Sequence, residues 1–307
     1  MQVFRNIPQR APASTVLTIG NFDGVHLGHR AMLERLVTYA RSIGLAAAVM
    51  TFEPHPRELF APEQAPARLS SLREKLHRLG ECGVDQVYVC RFSRRLASLT
   101  AGEFIERILV DGLGVRHLII GDDFRFGKGR GGDFALLQQA GSEYRFSVEA
   151  MHTVDVDGER VSSSAVREAL AAGGLEHAAR LLGRPYCIAG RVMHGEALGR
   201  QLGFPTANIQ LKRRAIALTG VFAATVSGAG PAALPAAASL GVRPTLGAGR
   251  KPVLEVHLLD YAGDLYRAHL TVNFLHKLRD EAKFASLELL AAQIARDVEA
   301  TRRYFKV

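Results

Sequence analysis

The sequence is short of cysteine, of lysine and of long apolar runs, and each shortage removes a class of protein. Three cysteines, Cys82, Cys90 and Cys187, stand among 307 residues. None falls at a C-x-x-C spacing, so no zinc ribbon or redox pair is written here, and they read as reduced, mostly core thiols. The amino terminus, MQVFRNIPQR, is charged early and has no long apolar stretch, unlike a secretory signal. From Ala215 to Val242 no residue is charged, but Gly228, Gly230, Pro231 and Pro235 interrupt the segment. No unbroken apolar run of about 18 residues is left to cross a bilayer, and buried strands joined by a small-residue loop fit better. Lysine supplies 7 of the 39 basic residues. The formal net charge is +9, yet the basic residues are scattered and their longest run is Lys212-Arg213-Arg214. A basic protein with small anionic substrates accounts for this better than a nucleic-acid binder, which needs a concentrated patch.

What is present is an ordinary globular balance, 48% hydrophobic and 22% charged, with length for one large or two ordinary domains. In the first half, strand patterns at Val16–Ile19, Leu45–Phe52, Val84–Phe92 and Arg116–Ile120 alternate with helical ones. The helical patterns follow His29, span Ser71–Gly80, follow a Thr100/Glu103 capping box, and span Asp133–Ala140. Such alternation predicts an α/β fold with a parallel sheet covered on both faces and ligands beyond the carboxyl ends of its strands. Two short helices, Val161–Ala172 and Leu175–Leu182, are expected to close this domain, and Leu59–Ser70 to be a mobile surface loop. Gly183-Arg184-Pro185 marks a boundary, giving expected domains 1–183 and 184–307. Beyond it, short strand-like runs at Ile188–Met193, Val221–Val226, Val253–Leu259 and Leu270–Phe274 predict a small β-barrel. Ser286 to about Phe305 places Leu287, Leu290, Ile294 and Val298 on one face, a helix packed on that barrel.

The chain is organised around Thr18-Ile19-Gly20-Asn21-Phe22-Asp23-Gly24-Val25-His26-Leu27-Gly28-His29, the turn between the first strand and first helix. Its glycines let backbone approach a ligand, the helix amino terminus offers unpaired N–H groups and partial positive charge, and His26 and His29 add donors for phosphate oxygens. His55, in Thr51-Phe52-Glu53-Pro54-His55-Pro56, follows the next strand; it either approaches a phosphate or is only part of a rigid turn. Gly127, Gly129 and Gly132 match G-x-G-x-x-G but do not immediately follow a strand, and no P-loop is formed, since Gly129 stands where Ser or Thr should follow Lys128. Val161-Ser162-Ser163-Ser164-Ala165-Val166-Arg167 opens a helix with hydroxyls and N–H groups, and Arg167 follows one turn later to pair with phosphate. In the second half, Gly199-Arg200-Gln201-Leu202-Gly203-Phe204-Pro205-Thr206-Ala207-Asn208 carries Thr206 and Asn208 two apart. In an extended segment they face one side as neutral oxygen donors suited to Mg²⁺. Glu255, alternating with apolar neighbours, reads in isolation as a solvent-facing strand position.

These stretches together resemble one family. Gly20–His29 resembles the HxGH signature of nucleotidylyltransferases and, in the longer form G-x-F-D-G-x-H-x-G-H, the amino-terminal domain of bacterial bifunctional riboflavin kinase/FAD synthetases. Residues 51–56 resemble that family's T-F-x-P-H-P, residues 121–132 its G-x-D-F-x-F-G-x-x-x-x-G, and residues 161–167 its I-S-S-T-x-I-R, with Ser164 in place of Thr. Residues 199–208 resemble its kinase motif G-R-x-L-G-F-P-T-A-N, residues 239–245 its G-x-x-P-T turn, and residues 278–284 its flavin-side loop L-R-x-E-x-K-F. Arg267 departs, standing where the family commonly has Gly.

The resemblance implies a nucleotidylyltransferase-type Rossmann-like domain followed by a kinase barrel. His26, His29 and Arg167 would stabilise adenylyl transfer, and Glu255 would be the kinase's general base. Gly20, Phe22, Asp23, Gly24, His55, Asp123, Phe126, Gly127, Ser163, Ser164, Gly190, Gly195, Gly203, Pro205 and Arg279 would line the nucleotide and flavin sites. Thr206 and Asn208 would hold Mg²⁺. The expected partners are ATP, riboflavin and FMN, without nucleic acid or membrane, for a cytoplasmic monomer or weak homo-oligomer. Two alternatives stay open: one active half with a flavin-binding other, or a non-catalytic flavin- or nucleic-acid-binding regulator.

Overall fold

The structure is a computed structural model that describes residues 1–195, 198–244 and 250–307. Thr245, last of the P-T turn motif, lies outside them. The chain divides into two compact units, Met1–Pro66 with Leu72–Val161, and Ala67–Ser71 with Ser162–Val307.

The first unit is built on a six-stranded sheet, all parallel: β1 (Gln2–Phe4), β2 (Thr15–Ile19), β3 (Ala46–Glu53), β4 (Gln86–Arg91), β5 (Val115–Gly121) and β6 (Ser147–Met151), in the order β1-β4-β3-β2-β5-β6. The sequence patterns locate four of these strands; β1 and β6 lie at the edges, where short, half-exposed strands leave no apolar signature. The central strands are buried on both sides, as a parallel sheet under helices requires. Val16, Val49, Val87 and Ile119 pack on one face with Leu33, Leu36 and Val37 of α1 (Leu27–Ser42) and Leu79 of α2 (Leu72–Glu81). Leu17, Met50, Tyr88 and Leu118 pack on the other with Phe104, Leu109, Phe126 and Leu137, the last from α3 (Phe134–Tyr144). The chain runs outward from β2 through β3 and β4, then returns to place β5 on the other side of β2. The gap beyond the carboxyl ends of β2 and β5 is thus the switch point where such sheets bind ligands. A small hairpin, β7 (Asp155–Val156) with β8 (Glu159–Arg160), completes the unit.

The second unit is a closed antiparallel barrel of β9 (Cys187–Met193), β10 (Ala207–Ile209), β11 (Gly220–Ser227), β12 (Leu234–Pro244), β13 (Arg250–Leu258) and β14 (His269–Arg279), in the order β10-β13-β12-β11-β14-β9. Small residues such as Ala224, Ala236 and Ala238 alternate with Phe222, Phe274, Leu254 and Val256 to fill it, the two phenylalanines meeting edge to face at 5.3 Å. The uncharged stretch after Ala215 is therefore β11, its turn and most of β12. Helices α4 (Ser163–Ala171) and α5 (Leu175–Leu182) group with this unit, and α6 (Leu287–Phe305) packs on β11, β12 and β14.

Two expectations are refined. Leu59–Ser70 does not lie wholly on the surface: it includes the end of a short helix, Pro56–Phe60, and a 3-10 turn, Pro62–Gln64, and it ends in buried Leu69 and Ser70. The buried Arg213 guanidinium donates to the carbonyls of Arg68 (3.4 Å) and Leu69 (3.0 Å) and to the Tyr186 hydroxyl (2.7 Å). The pinning cation is about 145 residues away along the chain, beyond any local pattern. Of the three free cysteines only Cys90 is buried, and burial pushes its thiol up to about 12.

Candidate active sites

The loop after β2 is held under backbone strain. Phe22 (φ 47°) and Val25 (φ 43°) occupy the left-handed region that non-glycine residues avoid, a β-branched residue most of all. Each side chain is buried among α1 and the sheet, which holds the strain in place. Gly20 lies flat against the Phe22 ring, where an added Cβ would sit 3.0 Å from it. Asp23 is buried, and Gly24 (φ 82°) completes the turn. His26 caps α1: its Nδ1 accepts the His29 backbone N–H at 3.3 Å. In the neutral ring the proton therefore sits on Nε2. The His26 and His29 rings stack at 3.7 Å between centroids. Desolvation first, then the charges of His26 and Lys75, holds the His29 pKa well below its ordinary value. Two buried polar atoms of this loop have no hydrogen-bond partner, Asn21 Oδ1 and His29 Nδ1. Buried polar atoms are nearly always satisfied in a finished structure, so a pair left open beside a helix amino terminus marks a place for a ligand.

The other motif residues of this unit divide. His55 caps the helix Pro56–Phe60, its Nδ1 accepting Arg57 N–H at 3.2 Å while Glu58 completes a capping box. Phe126 is a core side chain, packed on Phe104 and on the face of Gly132, where a Cβ would lie 2.5 Å from its ring. Gly127 (φ 73°) passes so close to Ala101 that a Cβ would come 2.8 Å from its nitrogen. The glycine spacing at 127 and 132 is thus explained by packing. Asp123 is exposed at the carboxyl end of β5 and pairs with Arg160 at 3.1 Å.

In the second unit Ser162 takes the cap of α4, accepting Ala165 N–H at 3.1 Å. Ser163 and Ser164 then fall in the first turn, Ser164 exposed. Arg167 Nε donates to the Ala67 carbonyl at 2.7 Å.

The barrel carries its own constellation. Ala207 and Ile209 point into the core while Thr206 and Asn208 are half-buried on the opposite side, as the alternation predicts. Glu255 stands between Asn208 on β10 and Ser239 on β12, its direct partners across two adjacent ladders. Gly195 passes over the Asn208 amide, leaving no room for a Cβ. Gly190 meets the Gln210 carbonyl the same way, a Cβ there lying 2.5 Å from the oxygen. Gly203 (φ 86°) makes the turn before Phe204. Pro205 offers its carbonyl to His257 Nδ1 at 2.8 Å, which fixes the proton on that nitrogen.

Thr206, Ser239, Glu255 and His257 line a cavity of about 340 Å³ together with Leu290, Ile294 and Val298 of α6. Helix α6 packs on the barrel as its apolar stripe predicts, and Leu290, Ile294 and Val298 of that stripe also line this cavity, while Leu287 is exposed. Arg279 also lines it, aimed by a bidentate pair with the buried carboxylate of Asp297 (2.8 and 2.7 Å), which Gln293 also contacts at 2.9 Å. The sequence reading missed Asp297 and Gln293. Their signal was two polar residues four apart in an otherwise apolar helical stripe. It also missed Lys75, a charged residue among the inward positions of α2.

A parallel α/β unit with a histidine-bearing phosphate turn, and a barrel with a carboxylate set beside hard-oxygen donors, define a two-part phosphate-transfer protein. A family model for FAD synthetase matches residues 8–165 and one for riboflavin kinase matches residues 182–305. A bifunctional riboflavin kinase/FMN adenylyltransferase of Pseudomonas fluorescens is 55% identical over 98% of this chain and 97% of that protein. The one from Escherichia coli K12 is 54% identical over 98% and 96%. A solved structure described as a macrolide-efflux protein from Streptococcus pneumoniae superposes with a TM-score of 0.80 at 29% identity, covering 98% of both chains. Among the described residues of this chain no helix is long and apolar enough to cross a membrane. The chain belongs to the bifunctional riboflavin kinase/FMN adenylyltransferase family.

Proposed function

We propose that residues 184–307 phosphorylate riboflavin to FMN and residues 1–183 adenylylate FMN to FAD, with ATP as the donor in both reactions. The observation that carries the kinase assignment is the setting of Glu255, flanked by Asn208 and Ser239 and open to a cavity with one apolar wall. That wall suits an isoalloxazine ring, with Arg279 fixed at its edge. Glu255 takes the proton from the terminal ribityl hydroxyl. The oxygen then bonds to the γ-phosphorus of ATP, the bond to the β–γ bridging oxygen breaks, and ADP leaves.

Thr206 and Asn208 would hold Mg²⁺ on the ATP phosphates. The donor set fits: neutral oxygens beside a carboxylate, and among the described residues no cluster of three or more His, Cys, Asp or Glu able to hold a metal by itself. Mg²⁺ commonly rests on few protein groups and completes its shell with phosphate and water. When bound it would neutralise charge on the departing phosphates.

In the first part the FMN phosphate is already an anion, so no general base is needed. Its oxygen bonds to the α-phosphorus of ATP, the bond to the bridging oxygen breaks, and pyrophosphate leaves. His26, with its proton on Nε2, and His29, with Nδ1 unpaired, supply hydrogen bonds to the phosphates. Ser163, Ser164 and Arg167 are assigned to the same phosphates from their motif, supported by Ser162 having taken the capping role. Asp123, Gly127 and His55 border the nucleotide by the same reasoning. We further propose a cytoplasmic monomer or weak homo-oligomer that binds neither nucleic acid nor membrane. The test is to supply the purified chain with riboflavin, ATP and Mg²⁺ and separate products by chromatography; absence of both FMN and FAD overturns the reading.

A further inference from the structure

Lys75 is 3% exposed, the single buried lysine among the described residues. An ammonium is among the costliest groups to bury, and lysines are almost never fully buried unless paired. It projects from the inward face of α2, and its Nζ donates to Thr51 Oγ1 at 3.3 Å. Thr51 is fully buried near the carboxyl end of β3, and its hydroxyl donates in turn to the Asn21 carbonyl at 3.2 Å. Two hydrogen bonds in series thus run from the ammonium to the strained loop that carries His26 and His29. The same loop holds the unpaired Asn21 Oδ1 and His29 Nδ1. The charge of Lys75 is also felt at His29, where it opposes protonation.

We propose that Lys75 is a positioning residue for adenylyl transfer, fixing the Asn21 carbonyl through Thr51 and holding a buried positive charge behind the His26–His29 loop. The inference rests on the reading of that loop as the adenylyl-transfer site. A fixed charge already desolvated before substrate arrives costs no reorganisation as negative charge gathers on the phosphates, and so acts on the transition state more than on binding.

The experiment uses the full chain with Lys75→Met, Lys75→Arg and Thr51→Val, measuring FAD formation from FMN and ATP, riboflavin phosphorylation, and Tm. Lys75→Met is expected to lower kcat for FAD formation by about 10²-fold with the KM values for FMN and ATP nearly unchanged. Riboflavin phosphorylation stays at the wild-type rate, and Lys75→Arg recovers most of the lost kcat. Wild-type kcat in Lys75→Met with a lowered Tm overturns the proposal, since the charge then serves the fold alone. A raised KM for ATP at unchanged kcat also overturns it, since that is direct substrate binding. If Lys75→Met does not fold, Thr51→Val decides: it keeps the ammonium and the side-chain volume, and a kcat reduced about tenfold supports the proposal while an unchanged kcat overturns it. A wild-type chain that makes FMN but no FAD overturns the adenylyl-transfer reading and the proposal together.

Discussion

Asn208 and Glu255 stand directly opposite one another on β10 and β13, a metal-type oxygen donor facing a carboxylate across one ladder. Both residues belong to the second unit. Glu255→Ala is expected to lower riboflavin phosphorylation by about 10²–10⁴-fold while conversion of supplied FMN to FAD continues. Separate assays of the two half-reactions check it, and loss of both would argue against independent sites.

Gly195 lies on the Asn208 amide with no space for a methyl group. Gly195→Ala should therefore push Asn208 off its position and leave the barrel folded. A displacement of about 1 Å in such a site costs about 10²-fold in rate. The expected signature is a fall in kinase activity and a raised Mg²⁺ requirement, with Tm and FAD synthesis unaltered.

His29 and His117 are both held below their ordinary pKa, chiefly by desolvation. A folded-state pKa below the unfolded value means the unfolded chain binds protons first as pH falls. Stability is therefore full above the unfolded value of 6.5 and is lost as pH drops through it toward the folded pKa. His29→Asn should flatten the fall of Tm with acidification relative to wild type, leaving the part due to His117. An unchanged slope would show that His29 is not its source.

Arg267 adopts φ 67° in the left-handed region. Only glycine takes that conformation without steric cost, put at about 1–2 kcal/mol for other residues. Part of the relief is returned as greater freedom of the unfolded chain. Arg267→Gly is expected to stabilise the second unit by about 0.5–1 kcal/mol, readable as a raised Tm, with neither activity changed.

Much of this was legible in the sequence because the signals are local. The strand-loop-helix pattern around Gly20–His29 needs only the switch from an apolar run to a 3.6-residue period, and β2 and α1 lie there. The Thr100/Glu103 capping box formed as its spacing predicts, and the helix expected from Asp133 begins at Phe134 with Asp133 as its cap. Thr206 and Asn208 share a side because extended backbone alternates, whatever surrounds it.

The sequence by itself settled the α/β and barrel order, the glycine-rich turn between β2 and α1 and the family, since these depend on residues near one another or in fixed motif spacing. Tertiary structure alone decided the rest. Phe126 and the glycines at 127 and 132 pack closely on their neighbours, and His55 caps a short helix. Helix α6 lines a cavity as well as packing on the barrel, and its Asp297 holds Arg279. Lys75 and Thr51, 24 positions apart, became one link behind the histidines. A side chain's task is set by what lies across from it, and for these residues that neighbour comes from a distant part of the chain.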